Sequence, residues 1–355
     1  LNINQVEDIK LNFILATART GSTLLSSMLN MHPNVISPHE EPFAYTLHQK
    51  YGKIDQWTSG TIENYCDDFY FFSRGKLDQF GTKEDLRIIL KKYKSYLTFD
   101  VVIRLTYLCF FPDKNKTAVN TIVDKQLEFH ACLENVADIY PKSKFLILLR
   151  DPRDQVLSRF LLAKRRKERE ENYLSRAYIW NHKYKTLAEK ASKIGKDRFL
   201  EIKYEDLILN PEKKLRDICL FFNLPYNPVM LEYDEHYRKL GDKNIDEIAK
   251  QNFLSVHSGL VQKVDDKKIG VWKKEMKQED INLIWTVCGE LAEQFGYKRE
   301  EHFVKQKLTI KDYFSLINFF ILNIIAPKIY HSAPFYIKRF VNRILWPKSN
   351  TEKSK

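Results

Sequence analysis

Residues Leu11 to Phe43, LNFILATARTGSTLLSSMLNMHPNVISPHEEPF, constrain the fold of this chain more than any other stretch. An apolar run, Leu11–Ala16, breaks into a polar turn, Thr17-Ala18-Arg19-Thr20-Gly21-Ser22-Thr23, and Leu24, Leu25, Met28 and Leu29 then recur at helical spacing. Strand, glycine-containing turn and helix, in that order, build a cradle for an anion. The first N–H groups of a helix have no internal partner, and the helix dipole is positive at that end. Arg19 adds a fixed charge, and Ser22 and Thr23 add hydroxyl donors. No lysine follows Gly21, so the turn lacks the G-x-x-x-x-G-K-[ST] build of an ATPase or GTPase loop. Taken alone, the same residues also fit a helix capped by Thr20 or Ser22 after a buried strand.

Three more apolar runs read as core strands: Thr121–Val123, Phe145–Leu149 and Phe199–Ile202. Helical patterns lie between them, as in Leu127–Tyr140 and Asn172–Ile194. Strands alternating with helices predict an α/β fold with a parallel sheet flanked by helices. Ligands of such sheets sit at the carboxyl ends of the strands, where Arg19 and Arg150 both fall. Residues 46–120 are aromatic-rich and mostly helical in period; they read either as an insertion over an acceptor site or as ordinary packing helices.

A second charged strand end stands in FLILLRDPRDQVLSRF, Phe145 to Phe160. Asp151 is placed to cap the next helix, and Pro152 suits its first turn. Ser158 follows Arg150 by eight residues, about two helical turns, so both can face one ligand. Arginine offers phosphate a planar fork of donors and serine a hydroxyl. Together the two stretches resemble the sulfotransferases, enzymes that use 3′-phosphoadenosine 5′-phosphosulfate (PAPS). The R-[ST]-G-[ST]-[ST]-L-L run, the later H-P and the acid ahead of an aromatic are similar to the 5′-phosphosulfate loop of the carbohydrate, tyrosylprotein and bacterial branches, where Arg19 stands in place of a lysine. That resemblance implies a phosphate-loop-like sulfotransferase fold and PAPS as co-substrate. It gives the phosphosulfate to Arg19, Thr20, Gly21, Ser22, Thr23 and Leu24, and the 3′-phosphate to Arg150 and Ser158.

Further islands agree in order. TIVDKQLEF is similar to the family's valine-aspartate-lysine segment and puts Lys125 beside the transferring sulfuryl group. The stretch from Lys203 to Leu224 resembles a tyrosine-glutamate-aspartate-leucine scaffold element, with Tyr204 as a cofactor neighbour. KIGVWKKEM resembles the glycine-x-tryptophan element that closes over the cofactor, so Lys268, Gly270 and Trp272 join the binding set. Asp265 and Asp266 stand beside Lys267 and Lys268 where the family usually has only basic residues. Sulfuryl transfer also needs a base for the acceptor hydroxyl. Glu41, ahead of Pro42 and Phe43, fits that role in the arginine-type branches; Glu40 is the alternative, His39 a rival, and His32 reads as structural.

The chain has 355 residues, of which 44% are hydrophobic and 29% charged, enough apolar content for a large globular core. Its net charge of +12 suits an anionic ligand, glycan, membrane or nucleic acid, but no zinc-finger spacing or RNA-binding signature points to nucleic acid. The five cysteines lack C-x-x-C or metal spacing, and no H-E-x-x-H or G-x-S-x-G occurs; the reading needs no metal and expects reduced thiols. With no basic-then-apolar leader, it expects a cytoplasmic enzyme. Residues 1–300 are expected to form the catalytic domain and 301–355 an extension. In that extension Tyr313–Ala326 is apolar almost all round, yet shorter than a membrane span. Seven cationic side chains then follow against the single carboxylate Glu352, a net +6. That order predicts peripheral contact with an anionic membrane, the competing expectation being a helix packed on the domain or on a second subunit. A nucleotide-dependent kinase and a catalytically silent membrane-peripheral protein are the competing functions. The acceptor and the oligomeric state are left open.

Overall fold

The computed structural model describes residues 1–38, 43–73, 80–167, 172–234 and 265–345. The first apolar run is strand β1 (Lys10–Leu15), and the turn after it leads into helix α1 (Ser22–Met31). A two-residue strand, β2 (Val35–Ile36), follows. Residues 46–120 form helices as their period implied, chiefly α2 (Ser59–Ser73), α3 (Lys83–Lys92) and α4 (Phe99–Leu108). Then come β3 (Thr121–Gln126), α5 (Leu133–Ile139), β4 (Phe145–Leu149), α6 (Pro152–Arg166), α7 (Tyr173–Ile194) and β5 (Phe199–Lys203). Helices α8 (Tyr204–Leu209), α9 (Pro211–Phe222) and α10 (Gln278–Gln294) complete the body. The described residues end in α11 (Ile310–Phe320), a π-helical turn (Ile321–Ile325), α12 (Ala326–Ser332) and α13 (Phe335–Leu345).

The five strands form one parallel sheet in the order β2-β3-β1-β4-β5. Side chains alternate between its faces, as the pleat requires. Phe13 and Leu15 of β1, with Phe145, Ile147 and Leu149 of β4, pack against Trp180 and Tyr184 of α7. Ile14, Leu146 and Leu148 point the other way, onto Leu25 and Met28 of α1 and Leu215 and Ile218 of α9. Register puts Phe13 opposite Phe145 and Phe145 opposite Phe199, with ring centroids 5.7 and 5.0 Å apart. Sequential order reverses at β1, whose neighbours are β3 and β4, so the crevice for a ligand opens beyond their carboxyl ends.

Two expected boundaries change. Strand β3 runs on past Val123 to Gln126. The expected helix Leu127–Tyr140 is instead a 3₁₀ turn, Phe129–Ala131, followed by the shorter α5. In the extension, the inner side of the helices lies on the body: the Phe320 ring is 6.3 Å from Tyr178, and Phe335 is 5.4 Å from Phe72. Among the described residues, no helix is long and apolar enough to cross a membrane.

Candidate active site

The loop between β1 and α1 is held open by its backbone. Arg19 takes a φ of 72° and Gly21 a φ of 91°, both left-handed. Gly21 occupies the cap position of α1, and no side chain caps the helix. Capping by Thr20 or Ser22 therefore does not occur: the buried Thr20 hydroxyl turns back to the Thr17 carbonyl. The N–H groups at the start of α1 are thus not taken up by a capping side chain. The ring of Tyr204 closes the other side of Gly21, where an added Cβ would lie within 2.4 Å of Cδ2. Gly21→Ala is expected to displace that ring and the loop, with a destabilisation of about 1–3 kcal/mol. Calorimetric titration with adenosine 3′,5′-bisphosphate should show weaker binding; unchanged affinity and melting temperature would mean that the loop tolerates a side chain there.

Helix α6 fixes the loop from the side. The Gln155 amide donates to the Ala18 carbonyl at 2.8 Å and to the Thr17 hydroxyl. That hydroxyl lies 3.3 Å from Tyr184 Oη, which itself donates to the Leu148 carbonyl at 2.8 Å. Arg19 Nε donates to Ser158 Oγ at 3.3 Å. Sequence patterns did not single out Gln155 or Tyr184. Gln155 sits in the run between Arg150 and Ser158, and only its position one turn into α6 could have pointed to it.

The second strand end is bound to the first. Arg150, 6% exposed, donates to the Arg19 carbonyl at 2.9 Å and to the Lys268 carbonyl at 2.8 Å. Its guanidinium lies 4.6 Å from the Tyr204 ring centroid, and its Nε is buried with no hydrogen-bond partner among the described residues. Asp151 caps α6 through the Arg153 N–H at 2.9 Å, with Pro152 in the first turn as expected. Asp154 accepts from the backbone N–H groups of Gly270 and Trp272 at 2.6 and 3.1 Å, and so ties the late glycine-tryptophan element to this helix. Arg153 is sandwiched between Trp272 and Trp285 at 3.8 and 4.3 Å. The Lys268 side chain is exposed, and Lys267 pairs with Asp265 at 3.3 Å.

Positive charge is concentrated here. Burial, and then Arg150, Arg165, Arg159 and Arg166, lower the Arg19 pKa to about 10, which leaves it cationic at neutral pH. Lys268, exposed at its surface yet partly desolvated by the neighbouring chain, is also shifted down, first by that desolvation and then by Arg19, with Asp265 opposing. Cations that depress one another's proton affinity are relieved when an anion enters. Lys125 lies within β3 rather than at its end; it is buried, and its Nζ donates to Thr23 Oγ1 at 3.2 Å. The preceding Asp124 accepts from Tyr107 and from Gln126 at 2.6 and 2.7 Å.

The three candidate bases, Glu41, Glu40 and His39, lie outside the described residues. His32 is a structural residue, as expected: its Nδ1 accepts from the Asn34 N–H at 3.1 Å and its Nε2 lies 2.7 Å from the Pro225 carbonyl. No group of His, Cys, Asp and Glu that could hold a metal ion occurs among the described residues. All five cysteines are unpaired and buried.

Residues 13–228 match the profile of the Sulfotransferase family. The chain belongs to the sulfotransferase family. It is a PAPS-dependent sulfotransferase in that sense, and the matched span includes the loop, Lys125, Arg150, Ser158 and Tyr204. The sulfotransferase is 22% identical over 300 residues to protein-tyrosine sulfotransferase 1 of Danio rerio, covering 82% of this chain and 73% of that one. It is 25% identical over 242 residues to the protein-tyrosine sulfotransferase of Drosophila melanogaster, but there covers 65% of this chain and only 42% of the relative. Among solved structures, the sulfotransferase domain from the curacin biosynthetic pathway superposes with a TM-score of 0.50 at 22% identity, over 82% of this chain and 99% of that one. The fold is therefore that of the family. Lys268, Gly270 and Trp272 lie beyond the matched span.

Proposed function

We propose that this enzyme moves the sulfuryl group of PAPS to a hydroxyl or amine of its acceptor, with a division of labour between the two strand ends. The observation that carries the reading is their linkage: Arg150 bonds to the backbone of Arg19, and Arg19 bonds to Ser158. Two anion-binding elements are held at a fixed spacing, as one nucleotide with a phosphate at each end requires. Arg19, the Thr23 hydroxyl and the amides of Thr20, Gly21, Ser22 and Leu24 grip the 5′ end. Arg150, with its unpartnered buried Nε, and Ser158 grip the 3′-phosphate. Tyr204, Lys268, Gly270 and Trp272 close over the nucleotide.

PAPS supplies an activated sulfuryl group whose leaving group is the nucleotide's 5′-phosphate. Arg19 and Lys125 face the negative charge that grows on that oxygen, as preorganised electrostatics with no metal in the reading. Glu41 receives the acceptor's proton, with Glu40 as the alternative. Residues 1–300 are the catalytic domain in this reading. Residues 301–355 form the extension, which touches an anionic membrane surface from the cytoplasmic side; the acceptor is a glycan, lipid or small metabolite.

The test is a titration of the full chain with adenosine 3′,5′-bisphosphate and, separately, with ATP and magnesium. Tight binding of the bisphosphate and weak binding of ATP are expected. The reverse order would replace the sulfotransferase reading with a kinase.

A further inference from the structure

Helix α6 carries, besides Ser158, a second polar side chain on the face that meets the cradle. Seven residues are close to two helical turns, so Arg165 stands on the same face as Ser158, about 10 Å along the axis. Side chains on a helix lean back over the turn before their own Cα, which directs Arg165 towards Ser158. Ser158 is already in the site, where it accepts from Arg19 Nε at 3.3 Å. The Arg165 side chain is exposed and, among the described residues, has no carboxylate partner, whereas Arg159 and Arg166 both have partners. After burial and Arg150, Arg165 is the next influence that lowers the Arg19 pKa. It also acts on Lys268, behind desolvation, Arg19 and Arg150. A cation in the last turn of a helix is favoured by the helix dipole, but that holds equally for Lys164 and Arg166. Of the three, Arg165 alone lies on the Ser158 face.

The late element leaves room for such a cation. Residues 265–268, Asp-Asp-Lys-Lys, carry no net charge. Lys267 Nζ pairs with Asp265 at 3.3 Å, and Asp265 also accepts from the Lys267 N–H at 3.2 Å. Lys268 gives its carbonyl to Arg150. At the strand end, two of the Arg150 nitrogens are bonded to carbonyls, and Nε is the one without a partner among the described residues. A phosphate monoester presents three terminal oxygens and, at neutral pH, between one and two negative charges. Arg150 and Ser158 set a single positive charge against it. A guanidinium reaching back along α6 adds the second charge and a planar fork of donors.

We propose that Arg165 is a third residue of the 3′-phosphate site, closing on that phosphate along α6 from beyond Ser158, in the role that Lys267 cannot take while Asp265 holds it. The inference rests on the sulfotransferase reading and its placing of the 3′-phosphate at Arg150 and Ser158. Strand end, Ser158 and Arg165 then act in series along one helix.

The probes are adenosine 3′,5′-bisphosphate and 5′-AMP, which lacks the 3′-phosphate, each titrated calorimetrically into the full chain. Arg165→Gln should weaken the bisphosphate by about tenfold or more, the scale of a lost charge-assisted contact, and leave 5′-AMP within about twofold of the parent. The loss should shrink at high ionic strength, because the contact is exposed. Arg165→Lys should recover part of the affinity, by charge without the fork. Lys267→Gln should bind the bisphosphate as the parent does. The melting temperature without nucleotide verifies the fold of each variant, and it should stay near the parent's because the side chain is exposed. Unchanged bisphosphate affinity in Arg165→Gln overturns the proposal while the sulfotransferase reading stands. An equal weakening of both nucleotides overturns it as well, since Arg165 would then act on the whole cradle and not on the 3′-phosphate. A loss in Lys267→Gln with none in Arg165→Gln would return the role to the late element. If the parent chain does not bind the bisphosphate, the sulfotransferase reading falls and the proposal falls with it.

Discussion

Glu41→Gln should lower turnover by roughly 10²–10⁴-fold, the usual contribution of a positioned general base. The amide keeps the shape and hydrogen-bonding reach of the carboxylate but cannot take a proton at neutral pH. An acceptor hydroxyl is a poor nucleophile until that proton leaves, so the loss belongs in the rate and not in nucleotide affinity. Binding of adenosine 3′,5′-bisphosphate, measured by calorimetry, should be nearly unchanged. Single-turnover assays of Glu41→Gln, Glu40→Gln and His39→Ala in parallel locate the base. A Glu40 variant that is inactive beside an active Glu41 variant would shift the role by one position. Activity in both glutamate variants would move it to His39 or away from this segment.

The loop after β1 was legible because one pattern carries both its fold and its chemistry. Leu11–Ala16 has to be buried, Gly21 allows a left-handed turn, and the apolar spacing from Leu24 restores a helix. Arg150, Asp151 and Pro152 were legible for a similar local reason: strand end, cap and first helical turn follow one another in the chain. The failures share a different cause. Strand β3 was cut short at Val123 because Asp124, Lys125 and Gln126 are polar. They stay in the strand because Tyr107 and Thr23, distant in sequence, provide Asp124 and Lys125 with buried hydrogen-bond partners. The alternative of a cap by Thr20 or Ser22 could be closed only by the structure, where the hydroxyl of Thr20 is engaged within the loop and Gly21 takes the position. Gln155 and Tyr184 brace Thr17 across 138 and 167 residues of chain, and no local spacing encodes such a meeting.

The extension shows the same limit from another side. A helix apolar all round reads from sequence as either packed or membrane-bound. Here α11 and α13 each have one face packed on the body and one exposed. Phe320 and Phe335 pack inward, while Phe314, Ile317 and Phe340 point outward. Periodicity cannot tell the faces apart, because both are apolar; only the position of Tyr178 and Phe72 on the body decides which one is covered.

Arg150→Ala should erase the preference for PAPS over adenosine 5′-phosphosulfate, which lacks the 3′-phosphate. A charge-assisted contact contributes about 1.5–3 kcal/mol, so PAPS affinity should fall by roughly ten- to a hundredfold. Two of the Arg150 nitrogens already serve the fold, through the carbonyls of Arg19 and Lys268. The substitution can therefore act in two ways, and the pair of nucleotides separates them. If the guanidinium reads the 3′-phosphate, only PAPS weakens, and the two affinities converge. If Arg150 is only a strut for the loop, both nucleotides weaken by the same factor and the parent's preference survives. Ser158→Ala should act in the same direction but by less, about 0.5–1.5 kcal/mol, because a neutral hydroxyl gives a neutral donor's contribution. Arg150→Lys keeps the charge but loses the planar fork, and one ammonium cannot reach both carbonyls and the phosphate in the arginine's geometry. It should recover part of the preference for PAPS, by charge, with a lower melting temperature than the parent. Equal affinity of the parent chain for the two nucleotides would remove Arg150 and Ser158 from the 3′-phosphate site altogether.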